Sequence, residues 1–111
     1  MASHHYIGNF ELMVLLAVIR LGDEAYGVTI SRAVEEGTGR EVAVGSVYAA
    51  LDRLLDKGLV TSRLGDPTPE RGGRAKRYVR VTTQGIHEAR TAREALMALW
   101  QGLPQVEGGC S

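Results

Sequence analysis

The apolar residues of this 111-residue chain change their spacing near Leu59, and no other feature limits the possible folds as strongly. Before this point, apolar residues recur at intervals of three and four, which is typical of amphipathic helices. After it, the segments Leu59–Leu64 and Arg77–Thr82 are rich in β-branched residues, which predicts two strands. The chain is therefore predicted to form one domain that is mainly α with a small β-hairpin.

Three short helices are predicted before the hairpin. The first, Asn9–Leu21, is apolar on all sides, so it must be covered on two sides, and a second copy of the protein is a candidate for one of them. The second runs from Tyr26 into a glycine cluster at residues 37–39. The third begins around Val44 and ends at Lys57, where a basic residue followed by glycine suits a helix C-terminus.

The loop between the two strands, residues 65–76, is rich in proline and glycine and is long enough to project as a wing. The whole chain has 13 Lys and Arg against 13 Asp and Glu, so its net charge gives no argument for a nucleic-acid partner. The wing region is locally basic, however, and carries Arg71, Arg74, Lys76, Arg77 and Arg80. Basic loops are often only solvated, but the position of this one on a hairpin favours binding to phosphates.

A long helix is predicted after the hairpin. Thr82 can cap its N-terminus, and its apolar stripe continues to Leu103, before Pro104 and a glycine-rich tail. At a rise of about 1.5 Å per residue, such a helix is roughly 30 Å long. A terminal helix of this length with an apolar stripe usually packs against its own domain or against a second copy.

The order of three helices, a strand, a basic loop and a strand is that of a winged helix-turn-helix, whose third helix enters the major groove of DNA while the hairpin tip follows the backbone. Outside its apolar stripe, the third helix carries Ser46, Tyr48, Ala49, Asp52 and Arg53. Hydroxyl groups suit phosphates and base edges, and alanine methyl groups suit thymine methyls. The alternatives are that Tyr48 packs within the domain, and that the fold is a protein–protein interaction module without sequence-specific DNA binding.

Catalysis, cofactors and metals find little support in the sequence. His4 and His5 lie in a terminal segment, without neighbours that would orient them on a metal. His87 stands alone on a helix, and Cys110 has no histidine partner. The apolar run Leu12–Ile19 is much shorter than the roughly 20 residues of a membrane span, and no basic residue precedes it as in a signal peptide. We therefore expect a cytoplasmic protein that is no enzyme and has no cofactor, no metal and no membrane contact.

Several short segments of the chain resemble the PadR family of transcriptional regulators. They lie in the family's order and at its intervals, and a single helix after the wing is similar to the short subclass. The segments, found between about Phe10 and Trp100, are Ala25–Val28, Gly45–Leu54, Lys57–Val60, Gly72–Tyr78 and Val81–Thr82 with Gly85. The resemblance implies a winged helix-turn-helix domain, a C-terminal helix that dimerises against the first helix of a second copy, and repression of a nearby promoter.

The resemblance also implies which residues contact DNA. They lie on the recognition helix, at the start of the second helix and in the wing, and are Ser46, Tyr48, Arg53, Tyr26, Arg74, Lys76 and Arg77. Ala49, expected to meet thymine methyl groups, stands where the family often has a proline. In the first wing strand, Ser62 or Arg63 stands in place of the usual aromatic residue. These two departures from the family pattern affect which operator sequence is expected, and they do not affect the expected fold.

Some members of the short subclass bind flat aromatic compounds between their two C-terminal helices, using a tryptophan from each. The resemblance therefore implies an effector pocket at the dimer centre, lined by Phe10, Met13, Leu96, Met97 and Trp100. The alternative is that Trp100 only packs the dimer core.

The predicted organisation has four parts. They are a flexible N-terminal segment at residues 1–8, a winged helix-turn-helix DNA-binding domain at 9–82, a C-terminal dimerisation helix at 83–103 and a flexible tail at 104–111. The predicted function is that of a homodimeric repressor, which binds double-stranded DNA at a near-palindromic operator and is released by a small-molecule effector.

Overall fold

The computed structural model describes residues 7–65 and 76–104, and the structural statements that follow concern these residues. This part of the chain contains α1 (Asn9–Leu21), α2 (Gly27–Thr38), α3 (Val44–Asp56), β1 (Val60–Leu64), β2 (Arg77–Val81) and α4 (Thr83–Trp100). A single 3₁₀ turn, Gly22–Glu24, joins α1 to α2. The predicted fold class, mainly helical with a two-stranded antiparallel hairpin, is confirmed. Some sequence predictions concern residues outside the described ranges, namely His4, His5, Arg71, Arg74 and Cys110. Most of the two predicted flexible ends also lies outside these ranges.

α1 forms the centre of the hydrophobic core. Its residues Leu15 and Val18 are buried against α2 and α3, where Ile30 and Leu54 are fully buried as well. Full burial of one such side chain contributes about 1.5–3 kcal/mol to folding. Met13, Leu16 and Ile19 of the same helix remain exposed. The protomer therefore covers one apolar side of α1 and leaves the other uncovered, as the pattern of this helix predicts.

The hairpin pairs β1 and β2 in a register that places Thr61 opposite Arg80 and Arg63 opposite Tyr78. Because successive strand residues point to opposite faces, these four side chains share the outer face. The inner face carries Val79, which is buried in the core. The outer face is therefore a polar and aromatic surface available to a ligand.

Hydrogen bonds at Thr82 join the hairpin to the helices on both sides. The Thr82 N–H donates to the carbonyl of Leu59, and its hydroxyl donates to the carbonyl of Gly58 over 2.8 Å. The same hydroxyl accepts a 3.0 Å bond from the N–H of Gly85 and so caps α4, as predicted. Leu59 and Thr82 thus form this junction instead of belonging to the strands as the sequence suggested. A Cβ atom at Gly85 would lie 2.2 Å from the Leu59 carbonyl oxygen, so α4 approaches the hairpin as closely as glycine allows.

The C-terminal half of α4 lies on the surface of the protomer. Its residues from 93 to 100 are all exposed, and Leu99 is 75% exposed. The helix ends at Trp100, three residues before the predicted end, and Gly102 follows with a positive φ of 83°, which favours glycine. No helix in the described ranges combines the length and hydropathy that crossing a bilayer requires.

Candidate nucleic-acid interface

Tyr48 connects the exposed face of α3 to the start of α2. It is 40% exposed, and the neighbouring Ser46 and Ala49 are exposed as well. Its phenol lies against Gly27, the first residue of α2, where a Cβ atom would be 2.5 Å from the Tyr48 hydroxyl oxygen. Tyr48 therefore packs partly within the domain, and the rest of its side chain is accessible to a ligand.

Tyr26 fixes the N-terminus of α2 to the hairpin. Its backbone N–H donates a 3.0 Å hydrogen bond to the hydroxyl of Thr29, in the first turn of α2. Tyr26 also forms an isolated antiparallel bridge with Tyr78 of β2. Beside it, the N–H of Val79 donates to the carbonyl of Ala25 over 2.9 Å. The start of α2 and the base of the wing are thus held together by backbone hydrogen bonds.

Two tyrosine rings and two cations form a continuous group at this junction, here called the wing-base stack: Arg63, Tyr78, Tyr26 and Lys76. The tyrosine rings meet edge to face, with centroids 5.4 Å apart. The Lys76 ammonium lies 4.4 Å from the centre of the Tyr26 ring and donates a 3.3 Å hydrogen bond to the Tyr26 hydroxyl. The Arg63 guanidinium lies 4.9 Å from the centre of the Tyr78 ring. Contacts of this kind are worth about 0.5–1 kcal/mol each at exposed sites, so they restrain both cations.

The structure brings together some of the predicted DNA-contacting residues and separates others. Tyr48, Tyr26 and Lys76 form one strip from α3 to the wing base. Arg53 lies near the opposite end of α3, where its Nε donates a 2.7 Å hydrogen bond to Glu11 of α1. The Arg77 guanidinium lies 4.0 Å from the carboxylate of Asp52, and both of these side chains are exposed. Two of the three described cations among the predicted contacts, Arg53 and Arg77, therefore have carboxylate neighbours.

Glu11 is a buried carboxylate that sequence reasoning did not single out. It lies 2.7 Å from Arg53 and 2.6 Å from Lys57. Burial raises the pKa of the Glu11 carboxyl, but the hydrogen bonds and charges of Lys57 and Arg53 lower it by more, so its pKa lies below the ordinary value of 4.5. In the sequence, Glu11 resembles any acidic residue in a first helical turn, because its partners are more than 40 residues away.

Two other cations of the hairpin, Arg63 and Arg80, were named in the sequence analysis but were not among the residues assigned to DNA contact. Arg80 bonds the carboxylate of Asp23 in the 3₁₀ turn, and Arg63 belongs to the wing-base stack. The sequence of β1 indicates which of its side chains share a face, but it does not indicate which residue of β2 pairs with Arg63. A loop of 12 residues between the strands leaves the register open, and a slip of one residue would place every side chain on the other face.

The predicted effector-binding residues occupy two separate places in the protomer. Phe10 and Met13 line a groove of about 560 Å³ between α1 and α2, together with Val34 and Val42. Leu96, Met97 and Trp100 are exposed toward the end of α4 and do not line this groove. A single chain therefore does not gather the five residues into one pocket.

Solved structures of transcriptional regulators resemble this chain. A regulator from Clostridium thermocellum has a TM-score of 0.68 and 24% identity, over 90% of this chain and 90% of that one. A PadR family regulator from hypervirulent Clostridium difficile has a TM-score of 0.70 and 21% identity, over 88% of this chain and 97% of that one. Bacillus subtilis PadR, solved in complex with operator DNA, has a TM-score of 0.64 and 21% identity, over 76% of this chain and 47% of that one. At these identities the likeness shows a shared fold.

Comparison of the sequences identifies the family. No curated protein matches the chain. The profile of the transcriptional regulator PadR-like family, in contrast, matches residues 15–91, from α1 into α4. This range includes the recognition helix and the whole hairpin, and it confirms the resemblance noted in the motifs. Members of this family are transcriptional regulators rather than enzymes, which agrees with the expectation of no catalytic role. The chain belongs to the transcriptional regulator PadR-like family.

Proposed function

We propose that the protein is a homodimeric repressor that binds a near-palindromic operator, with α3 in the major groove and the wing on the phosphate backbone. The observation that carries this proposal is the strip of Tyr48, Tyr26 and Lys76, in which Tyr48 is exposed and the other two side chains are partly exposed. It joins the N-terminal half of α3 to the base of the wing. A duplex in contact with α3 would meet both a reading surface and a restrained cation, which is the arrangement that a winged helix-turn-helix requires.

The residues of this strip have different proposed roles. Ser46 and Tyr48 offer hydroxyl groups to base edges or phosphates, and Ala49 offers a methyl group to thymine. The Tyr26 hydroxyl and the Lys76 ammonium bind phosphate oxygens. Contacts of the second kind set the orientation of the protein on DNA but carry no sequence information.

The remaining predicted cations complete the proposed interface. Arg53 uses its Nε on Glu11, and its side chain is 54% exposed, so its other N–H groups are available to a phosphate. The Arg77 guanidinium lies 4.0 Å from the exposed Asp52 carboxylate, and a pair of this kind contributes little. Arg74 is proposed from the resemblance alone, as part of the wing.

Dimerisation is supported by two apolar surfaces that the protomer leaves uncovered. One is the outer side of α1, where Leu16 is 47% exposed and lines a groove of about 490 Å³ between α1 and α2, and Met13 lines both this groove and the one of about 560 Å³. The other is the end of α4, where Leu99 and Trp100 are exposed. We propose that α4 of each chain covers α1 of the other. The two recognition helices would then read half-sites about one helical turn apart, roughly 34–36 Å.

We further propose that a flat aromatic effector binds where the end of α4 from one chain reaches the groove beside Phe10 and Met13 of the other. Apolar side chains and the adaptable methionines Met13 and Met97 suit such a ligand. A ligand that changes the separation of the two recognition helices would prevent them from fitting both half-sites. A coupling of about 1–3 kcal/mol is sufficient for such a response. A regulator of this kind acts in the cytoplasm, where its DNA is.

Fluorescence anisotropy of a labelled duplex from the gene's own upstream region tests the proposal. The protein is titrated at several salt concentrations, beside a scrambled duplex. We expect salt-sensitive binding of two chains per duplex, with the scrambled duplex bound at least about a thousandfold more weakly. Equal and weak binding to both duplexes would contradict it and favour a protein-interaction module.

Effector binding can be measured separately by tryptophan fluorescence, because Trp100 is the single tryptophan of the chain. A planar dye such as proflavine, titrated without DNA, should quench the fluorescence of Trp100. It should also weaken operator binding by the wild type more than by Trp100→Ala, which controls for intercalation of the dye into the duplex. Unchanged fluorescence and unchanged affinity with this dye would contradict a pocket that accepts flat aromatic compounds in general.

A further inference from the structure

The cations of α3 and the hairpin fall into two groups. Four of the described ones have a carboxylate within 4.0 Å: Arg53 and Lys57 on Glu11, Arg77 on Asp52, and Arg80 on Asp23. Arg63 and Lys76 have no such neighbour in the described ranges, and both lie over tyrosine rings. The wing-base stack thus holds the two described cations of this surface that have no carboxylate of the described residues within 4.0 Å.

Arg63 stands at the edge of a shallow cleft on the outer face of the hairpin. The cleft has a volume of about 150 Å³ and is lined by Thr61, Ser62, Arg63, Tyr78 and Arg80. Because Thr61 pairs with Arg80 and Arg63 with Tyr78, the two guanidinium groups and the Thr61 hydroxyl lie on one face. Two cations and a hydroxyl around a small cleft form a donor set that suits a phosphate group.

Tyr78 restricts where the Arg63 guanidinium can go. Its ring is packed edge to face on Tyr26, and a Cβ atom at Gly65 would lie 2.6 Å from it, so the ring itself has little room to move. An arginine stacked on a fixed ring loses less conformational freedom when it binds than a free one. The ring therefore presents the N–H groups of Arg63 in a prepared position.

We propose that this cleft is a second site for a backbone phosphate of the duplex held by α3, with Arg63 as its main donor and Tyr78 as a positioning residue. The proposal rests on the proposed function. DNA is the favoured occupant because the cleft continues the strip of Tyr48, Tyr26 and Lys76 along which the backbone would run. The exposed pair of Arg80 and Asp23 is weakly held, so Arg80 can turn to the same phosphate.

The test compares two variants that lose the same charge, Arg63→Ala and Arg90→Ala. Arg90 is an exposed residue of α4 and does not line the cleft. Dissociation constants for the operator and scrambled duplexes are measured between about 50 and 200 mM salt. Loss of one phosphate contact should reduce the slope of log affinity against log salt by about 0.9 for Arg63→Ala, equally on both duplexes, with no change for Arg90→Ala.

The outcomes separate this proposal from the proposed function. If the wild-type protein binds both duplexes without salt dependence, the proposed function fails, and the phosphate site fails with it. If the wild type binds as expected and Arg63→Ala retains the wild-type slope, only the phosphate site is overturned. The Arg63→Lys variant should retain the slope and lose part of the affinity, since lysine keeps the charge but not the planar, stacked guanidinium.

The positioning role of Tyr78 is tested by a double-mutant cycle. Tyr78→Leu should weaken DNA binding severalfold when Arg63 is present and have a clearly smaller effect in the Arg63→Ala background. Tyr78→Phe keeps the ring and should bind as the wild type does. Equal effects of Tyr78→Leu in both backgrounds would overturn the positioning role, because a merely structural ring acts independently of Arg63.

Discussion

The Glu11 carboxylate of α1 lies 2.6 Å from the Lys57 ammonium, at the C-terminal end of α3, although the two residues are 46 positions apart in the chain. The same carboxylate accepts a hydrogen bond from Arg53, one turn earlier on α3. Through Glu11, the helix that carries the uncovered apolar side is tied to the C-terminal part of the recognition helix. This link holds the C-terminal end of α3 in place, whereas Tyr48 lies against Gly27 of α2 nearer its N-terminal end.

Replacing Glu11 by glutamine should destabilise the fold. The variant leaves the partly buried Lys57 without a counter-charge, and loss of one partner of such a bond costs about 1–3 kcal/mol. Urea denaturation followed by circular dichroism measures the change. Glu36→Gln is the matched control, because Glu36 is an exposed acid on α2, and its free energy of unfolding should stay close to that of the wild type. Equal stability of the two variants would contradict the role given to Glu11.

The contribution of Glu11 should depend on pH. Its pKa is lower in the folded protein than the ordinary value of 4.5, so its stabilising effect is complete above that value and is lost as the pH falls through the lower, folded pKa. The difference in unfolding free energy between wild type and Glu11→Gln should therefore be constant near neutral pH and shrink as the pH falls below about 4.5. A difference that stays constant down to pH 3 would show that its charge is not what stabilises the fold.

Replacing Gly27 by alanine should act on DNA binding through Tyr48. The added Cβ atom would lie 2.5 Å from the Tyr48 hydroxyl oxygen, which has room to turn outward because the side chain is partly exposed. The fold should survive, and we expect operator affinity to fall about tenfold, or about 1.4 kcal/mol, in the anisotropy assay. In a Tyr48→Ala background the same change should have little further effect. An undiminished effect there would mean that Gly27 acts by another route.

Replacing Leu16 by glutamate should separate the proposed dimer. The substitution puts a carboxylate on the uncovered side of α1, where burial of an unpaired charge is costly. Light scattering after gel filtration should give a mass near the 12.0 kDa of one chain, against twice that mass for the wild type. Val28→Glu, which replaces an apolar residue of α2 that is 38% exposed against 47% for Leu16, should remain dimeric. A dimeric Leu16→Glu would exclude this side of α1 from the interface.

Much of the fold was determined by local sequence patterns. The order of the helices and strands follows from the spacing of apolar residues, the start of α4 follows from the capping residue Thr82, and the excess apolar surface of α1 is visible in its composition. Such features depend on residues within one or two turns of each other, so no knowledge of distant partners is needed. The motifs around Tyr26, Tyr48 and Lys76 carried the family resemblance for the same reason.

The electrostatic arrangement of the interface was decided only by tertiary structure. Nothing local distinguishes Arg53, which is bonded to Glu11, from Arg63, which is stacked on Tyr78 without a neighbouring carboxylate in the described ranges. The first difference depends on how α1 packs against α3, and the second on a hairpin register that the long loop leaves open. The sequence gives the number of charged residues. What each of them can bind depends on its neighbours in space, and packing and strand register determine these neighbours.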